Sequence, residues 1–448
     1  MTMARAGSSK SWLYQDSPRS WSRGLLVGPF VVISLFLIAT SDVFGSVSIF
    51  GFTGLALMSM ATLYYLVCSQ ILTGSLFSFG TVGSFGSGGI PLMWMLWVGW
   101  CAVVTAANGV SREGIQNAVL LGILILGMSW SAQRADPRLS RVLVLGIAVA
   151  GLILAILFSV QLVQSGFNAR GIIGRRSFGI SAVIVIAVIA GHWRIVPFWV
   201  RLVGIVLFLE ILASGARTAF VIATLIVLVS FSSRRRGFVG IVFAVLATAV
   251  SVVALIAYVE PVRKRFVGGD AGITISGIDY NTAGRAEIWG ALVSWAERFP
   301  LGSGLGRAQR VTVEAVPHIP QPHNDYLRLL VDTGLPGVVL WSLGALVIFF
   351  VLTRAATLMS GPDADFLNSG VYCWFAFLAL MLTDNNLVYS FSVIPTALVV
   401  GWSLGLAASR LGTVEFTFQS ATRSLAVRPS PQRLRNNVIR PVSAGDPP

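Results

Sequence analysis

The chain has 448 residues, of which 55% are hydrophobic and 11% are charged, and its mean hydropathy is +0.80. Soluble domains carry about 25% charged residues, so this composition excludes a soluble globular domain. The net charge of +14 would suit a nucleic-acid partner, but the placement of the basic residues relative to the apolar runs argues against one.

Apolar runs that could cross a bilayer recur along most of the chain, since a spanning helix needs about 20 such residues. The predicted spans are 25–41, 47–72, 89–107, 115–132, 142–164, 177–192, 195–213, 217–232, 237–258, 336–357, 369–387 and 389–409. The sequence therefore predicts an all-α polytopic membrane protein with about 12 transmembrane helices and one large extracytoplasmic loop that contains short helices.

The basic residues predict how these spans are oriented. If the N-terminus lies in the cytoplasm, the inner segments hold 19 Lys and Arg residues and the short outer segments hold five. This excess favours both termini in the cytoplasm. The predicted regions are a cytoplasmic segment 1–24, transmembrane helices 1–9 in 25–258, an extracytoplasmic loop 259–335, helices 10–12 in 336–410, and a basic, disordered cytoplasmic tail 411–448.

The large outer loop contains an amphipathic helix in the stretch RAEIWGALVSWAERFP. Its apolar residues Ile288, Leu292, Trp295 and Phe299 recur at helical spacing. The sequence predicts a helix that lies at the membrane interface. The GSGLGR stretch that follows (302–307) resembles a phosphate-binding glycine loop, but it neither follows a strand nor belongs to a βαβ unit. We therefore interpret it as a flexible turn.

A polar stretch, PQPHNDYLRLLVDTGLPG (320–337), lies at the end of this loop. Asn324 or Asp325 can cap a short helix, Gly334 can end it, and Pro336 can begin the next span. His323 then lies at a helix N-terminus, where the helix dipole disfavours imidazolium and the free N–H groups can bind an anion. A neutral histidine could accept a proton, or it could simply help to cap the helix.

Two of the three histidines fall in this region. His318 lies between two prolines and is interpreted as part of an ordinary exposed loop.

Two arginines lie at predicted outer ends of helices. Arg217 occurs in ASGARTAF, and Glu210 is a possible structural partner for it. Arg285 begins the amphipathic helix and could be an ordinary interfacial arginine. Alternatively, both arginines bind an anionic, lipid-linked substrate. Guanidinium groups bind phosphate oxygens in a bidentate manner and keep their charge at any relevant pH.

A second basic cluster, Arg170, Arg175 and Arg176, also lies on the predicted outer side. This placement runs against the usual distribution of positive charge, so it favours an anion-binding role. The cluster is a weaker candidate than Arg217.

The pattern RAEIW…FPLGSGLG…HNDYLRLLVDTGLPG, together with SGARTAF, resembles the O-antigen ligase and O-antigen polymerase superfamily of bacterial membrane glycosyltransferases. The similarity covers roughly 210–345. It implies a GT-C-like fold in the bacterial inner membrane, with an active site that faces the periplasm. It also implies a metal-independent reaction with no cofactor.

The resemblance implies that an undecaprenyl-pyrophosphate-linked glycan is the donor and that a sugar hydroxyl of a glycan or of lipid A-core is the acceptor. His323 would be the general base or would orient the acceptor, and Arg217 and Arg285 would bind the pyrophosphate. Possible supporting residues are Asn324, Tyr326, Glu210, Arg175 and Arg176. Other proteins of the polysaccharide assembly machinery are possible partners. We favour a polysaccharide polymerase over a ligase because polymerases are the broader group.

Two other functional classes remain open. A polytopic transporter also places charges within helices, here Glu210 and Asp384, but the chain shows no obvious internal repeat. A membrane scaffold would leave the occurrence of His323, Arg217 and Arg285 on one side unexplained. The acidic stretch DAD (363–365) resembles a metal-binding motif, but it falls in a predicted cytoplasmic loop, and we interpret it as a solvated turn.

Overall fold

The structure is a computed structural model that describes residues 19–45, 47–49, 52–72, 92–165, 173–258, 273–275, 278–280, 285–317, 319 and 321–426. The predictions for residues 1–18, Arg170, His318 and most of 259–284 lie outside these residues.

The described part of the chain is mostly helical. Its helices are α1 (Arg19–Thr40), α2 (Gly54–Leu72), α3 (Leu92–Asn108), α4 (Arg112–Gln133), α5 (Pro137–Ser165), α6 (Arg175–His192), α7 (Phe198–Ser214), α8 (Arg217–Tyr258), α9 (Arg285–Arg298), α10 (Arg307–Ala315), α11 (Asp325–Leu358), α12 (Pro362–Leu380) and α13 (Ser390–Ala426). Short 3₁₀ helices cover Val43–Gly45 and Asn386–Val388.

Two small antiparallel ribbons accompany the helices. Strand β1 (Ser48–Ile49) pairs with β2 (Phe52–Thr53), and β3 (Ile273–Ile275) pairs with β4 (Ile278–Tyr280). The prediction of a helical membrane fold is therefore confirmed at the level of fold class, with these two ribbons as minor additions.

Six helices of the described residues are long and apolar enough to cross a membrane, namely α2, α4, α5, α6, α11 and part of α13, and α1, α3 and α8 contain shorter apolar stretches. The predicted number of 12 spans remains a prediction. The most enclosed helices are α6 and α13, in which 83% and 94% of the most apolar window is buried. They form the centre of the bundle.

Several element boundaries differ from the predicted ones, among them those of α8, α12 and α13. Helix α8 is continuous over 42 residues where two spans were predicted, because its central stretch contains three arginines, which are good helix formers, and no proline. Helix α12 spans Pro362–Leu380 instead of 369–387, and it ends shortly before the polar run TDNN (383–386). The DAD stretch (363–365) therefore lies in the first turn of this helix and not in a loop, because Pro362 is well tolerated at a helix start. Helix α13 continues to Ala426, into the predicted tail, since the next proline is Pro429.

Helix α11 contains the predicted interruption. Gly334 has a φ of +69°, which breaks the helical conformation just before Pro336. Its backbone packs directly against residues 300–302, and a Cβ atom there would lie 2.4 Å from the carbonyl oxygen of Pro300. Only glycine fits this close approach, so the short helix and the long one that follows it are held at a fixed bend.

Helix α9 is amphipathic as predicted. It buries Ile288, Leu292 and Ala296 in a small apolar cluster with α10 and the first turns of α11. This cluster fixes the N-terminus of α9 relative to the N-terminus of α11, and both ends contribute to the site described next.

Candidate functional site

Three helices begin with arginines around one cavity. The cavity has a volume of about 210 Å³, and its lining includes Arg175 and Arg176 at the start of α6, Arg217 at the start of α8, and Arg285 at the start of α9. Asp384, in the connection between α12 and α13, is the carboxylate among the lining residues. We call this space the arginine cavity. It brings together four of the arginines that the sequence singled out.

The helix starts are held in place by polar contacts from other parts of the chain. Asp42, which follows α1, accepts hydrogen bonds from the backbone N–H of Gly174 at 3.1 Å and from the Ser177 hydroxyl at 2.7 Å, so it ties the start of α6 to the connection after α1. Gly215 adopts a left-handed conformation with a φ of +65° between α7 and α8. The hydroxyls of Thr218 and Thr383 are hydrogen-bonded at 2.6 Å, which joins α8 to the α12–α13 connection.

Arg176 links the arginine cavity to His323. Its Nε lies 3.3 Å from Oδ2 of Asp384, and its Nη1 lies 2.8 Å from Nδ1 and 3.3 Å from Nε2 of His323. The Arg176 side chain is 42% exposed, so this ion pair contributes little to stability. Arg176 matters for the geometry of the site, because its contact with His323 places the histidine ring beside the cavity.

His323 lies just before α11 in a strained backbone conformation with a φ of +53°. Its backbone N–H donates to Oδ1 of Asn385 at 2.8 Å, and the Trp289 indole N–H donates to the preceding carbonyl, that of Pro322, at 3.0 Å. A non-glycine residue in this conformation costs free energy and persists only where neighbouring contacts fix it. Such strain is a feature of functional positions.

Asn324 and Tyr326 support the fold around this histidine. The Asn324 side chain accepts from the backbone N–H of Leu327 at 3.0 Å, which makes it the N-cap of α11. The Tyr326 hydroxyl donates to the carbonyl of Leu378 in α12 at 3.1 Å. Both side chains therefore use hydrogen bonds to hold α11 in position.

A buried network lies behind the histidine. Arg328 is 3% exposed and forms an ion pair with Asp325, with 3.3 Å between Nε and Oδ1. It also donates to the side chains of Gln321 and Asn385. Asp325 accepts from the backbone N–H of Leu387 at 2.8 Å. The start of α11 is thus fastened to the α12–α13 connection.

Burial and the neighbouring arginines disfavour the protonated forms of His323 and Arg285. Burial, followed by the positive charges of Arg176, Arg285 and Arg328, lowers the pKa of His323 from 6.5 to about 3. Burial, followed by the charge of Arg176, lowers the pKa of Arg285 to about 10. Burial raises the pKa of Asp384, although Arg176 opposes this shift. At neutral pH the histidine is therefore neutral, as predicted, and Arg285 is still a cation.

The family comparison covers the middle of the chain. Residues 202–342 match the protein-family model described as O-Antigen ligase. This part of the chain is similar to that family. The resemblance to the O-antigen ligase and polymerase superfamily is therefore confirmed over these residues, which include Arg217, Arg285 and His323. A search of curated proteins finds no match to the chain.

The matched segment 202–342 provides only part of the arginine cavity. Arg175 and Arg176 precede it, and Asp384 follows it. Asp384 was predicted only as a charge within a helix, and Asn385 was not predicted to take part in the site, because an apolar span was predicted through residue 387. The polar run TDNN (383–386) after an apolar helix was the signal that could have identified them.

Glu210 lies apart from the arginine cavity. It is buried within α7, where it accepts a hydrogen bond from the Ser159 hydroxyl of α5, and its Oε2 makes no hydrogen bond. The predicted supporting role of Glu210 in the site therefore gains no support from its position. Its hydrogen bond instead links α5 to α7.

The glycine loop (302–307) holds an internal carboxylate. Gly302, Gly304 and Gly306 all have φ values between +87° and +95°. The backbone N–H groups of Gly306 and Ala308 donate to the buried side chain of Asp332 at 3.0 and 2.7 Å. The loop therefore binds a group of its own chain, which agrees with a structural interpretation and not with a phosphate site.

Proposed function

We propose that this chain is a membrane glycosyltransferase of the O-antigen ligase and polymerase type. It transfers a glycan from an undecaprenyl-pyrophosphate donor to a sugar hydroxyl of an acceptor glycan. The observation that carries the proposal is the arginine cavity, in which the starts of α6, α8 and α9 all direct positive charge to one space. A helix N-terminus already bears a partial positive charge, so arginines at three such ends repel one another. This repulsion is relieved when an anion binds.

The chemistry requires a cavity of this type. The acceptor hydroxyl oxygen forms a bond to the anomeric carbon, and the bond from that carbon to the diphosphate oxygen breaks. The electron pair of the broken bond goes to the diphosphate, and the hydroxyl proton goes to a base. Fixed positive charge stabilises the negative charge that develops on the leaving diphosphate, and this contribution can exceed any other in the reaction.

We assign pyrophosphate binding to Arg217 and Arg285, with Arg175 and Arg176 in support. All four line the same cavity. His323 is placed beside it through Arg176 and acts on the reacting groups. We further propose that these arginines make the reaction independent of a metal ion, and that the cavity faces the periplasm in the bacterial inner membrane.

The acceptor distinguishes two candidates. A surface polysaccharide polymerase adds repeat units to a growing lipid-linked chain, and this is our first candidate. A ligase, which moves the glycan to lipid A-core, is the second candidate. The description of the matched family model supports it.

The test is a transfer assay with the purified chain, a polyprenyl-diphosphate-linked oligosaccharide and candidate acceptors, with EDTA present. We expect transfer by the wild type and a loss on the order of 10²-fold in Arg217→Ala, because a fixed charge on the leaving group is removed. Arg310→Ala is the matched control, since Arg310 is exposed and pairs with Glu113 outside the cavity.

The products decide between the candidates. A ladder of lengthened glycans identifies a polymerase, and a single product on lipid A-core identifies a ligase. Equal transfer by Arg217→Ala and the wild type would contradict the assigned site. Movement of the intact donor across a vesicle membrane, without release of polyprenyl diphosphate, would contradict the enzyme class in favour of a transporter.

A further inference from the structure

The side-chain amide of Asn385 has one possible orientation. Its Oδ1 accepts from the backbone N–H of His323 at 2.8 Å and from Nη2 of Arg328 at 3.1 Å. Both partners can only donate, so the oxygen must face them. The Nδ2 group then faces Nδ1 of His323 at 2.7 Å and the Tyr389 hydroxyl at 3.2 Å. With two bonds accepted and two donated, the amide is fully satisfied.

This orientation determines which ring nitrogen of His323 carries the proton. Nδ1 is the ring nitrogen that faces the Asn385 amide, at 2.7 Å, and it is also the nearer one to Nη1 of Arg176, which lies 2.8 Å from Nδ1 and 3.3 Å from Nε2. A nitrogen that faces donors must present its lone pair, so in the neutral ring the proton is on Nε2. The lone pair that a general base would use is already engaged.

We infer that Asn385 is a positioning residue that fixes His323 in the tautomer with the proton on Nε2, so that His323 donates a hydrogen bond to the diphosphate instead of accepting the acceptor's proton. This inference rests on the proposed function and specifies the role of one residue in it. Like the arginines beside it, His323 then stabilises the negative charge of the leaving group.

The hydroxyl proton of the acceptor needs another base, and the assigned group is Asp384. Its carboxylate lines the arginine cavity and accepts the backbone N–H of Asn385 at 2.9 Å. Bond formation at the anomeric carbon then proceeds with the proton passing to this carboxylate, while the electron pair of the broken bond passes to the diphosphate.

The tautomer can be measured without any transfer activity. We would label the histidines with ¹⁵N in the detergent-solubilised full chain, assign the His323 signals by their absence in His323→Gln, and record them from pH ~5 to 8, the range in which histidine ordinarily titrates. We expect a neutral ring with a protonated Nε2 throughout. A proton on Nδ1, or titration within this range, would overturn the inference.

The charges that face the ring support a flat titration. They are Arg176 of α6, Arg285 of α9 and Arg328 of α11, with Asp384 and Tyr389 nearby in the α12–α13 connection. Inorganic pyrophosphate is the probe for the donor role. Its addition should shift the Nε2–H signal in the wild type, and an unchanged signal at saturating pyrophosphate would overturn that role.

Asn385→Asp gives opposite results for a donor and for a base. The new carboxylate accepts from Nδ1, so the proton moves there and Nε2 is left with a lone pair. If His323 is a donor, transfer falls on the order of 10²-fold near neutral pH. It then rises as the pH falls, because protonation restores the Nε2–H group. If His323 is a base, the substitution increases transfer, which would contradict the inference.

His323→Gln provides a second test that does not depend on the folding of Asn385→Asp. The Gln amide keeps an N–H donor near the position of Nε2 but cannot act as a base. We expect it to retain at least about a tenth of the wild-type transfer, whereas His323→Ala retains about a hundredth or less. Equal loss in both variants would overturn the donor role. If the wild type transfers no glycan, the proposed function fails, and the ¹⁵N experiment still decides the tautomer.

Discussion

The glycine loop and the arginine cavity are both suited to bind an anion, but they differ in how far carboxylates of the chain itself already balance their donors and charges. In the loop, backbone N–H groups bind the buried carboxylate of Asp332. In the cavity, four arginines lie around the single carboxylate of Asp384, which is among the lining residues. The loop has a glycine pattern that resembles a phosphate site, and the cavity has no recognisable local motif.

The difference shows that a sequence pattern typical of anion binding does not identify a ligand site when a carboxylate of the chain already binds its donors. The loop is made of neighbouring residues and closes against the first turns of α11, where Asp332 lies. The cavity is made of helix starts that are distant in sequence, and its excess positive charge is unfavourable until a ligand binds. The loop therefore stabilises the fold, and the cavity is the part to which we assign substrate binding.

The largest expected effect is in the loop. Asp332→Ala removes the acceptor of two backbone N–H groups in a fully buried position, so the free energy of unfolding should fall by about 2–5 kcal/mol. Thermal unfolding in detergent is the measurement. Asp332→Asn, which keeps one acceptor oxygen, should lose less. A variant as stable as the wild type would show that the carboxylate is not needed to hold the loop.

The opposite result is expected in the cavity. Arg285→Ala removes a cation whose pKa is lowered to about 10 by burial and by Arg176, so the unfolding temperature should stay the same or rise. Inorganic pyrophosphate should stabilise the wild type through mass action, by about 2.7 kcal/mol at 100 times its dissociation constant. Arg285→Ala should lose most of this gain, and Arg310→Ala should keep it. Loss of folding in Arg285→Ala would remove the distinction between the two regions.

The smallest expected effect is at Arg176. Arg176→Lys keeps the positive charge beside Asp384 but cannot contact both that carboxylate and the ring of His323 in the same way. We expect transfer to fall several-fold, equivalent to about 1 kcal/mol, with no change in stability. Saturation kinetics of the transfer reaction would measure it. A loss as large as that of Arg217→Ala would show that Arg176 binds the diphosphate directly.

Local patterns predicted much of the fold. Hydropathy located the apolar helices, helical spacing identified α9, and the Asn and Gly signals marked both ends of the short helix after His323. These features depend on neighbouring residues, so one sequence is enough to find them. The break predicted within α8 failed because a run of arginines is compatible with a helix as well as with a loop.

The site was predicted only in part. Arg217, Arg285 and His323 were singled out because charged residues and histidines are few in this apolar chain, and their roles remain predictions. Asn385 was missed because its importance comes from contacts with His323 and Arg328, which are about 60 residues away in the sequence. Contacts of this kind follow from tertiary packing, and no local pattern records them.

The hydrogen bonds that Asp42 accepts from the start of α6 have a consequence for protein engineering. Arg175 and Arg176 point into the cavity from a helix whose start is fixed by the connection after α1, far outside the segment 202–342 that matches the family. A chimera that exchanged only that segment would combine Arg217 and Arg285 from one protein with Arg175 and Arg176 from the other in the same cavity. An intact cavity therefore requires that the connection after α1, the start of α6, the matched segment and the α12–α13 connection are exchanged together.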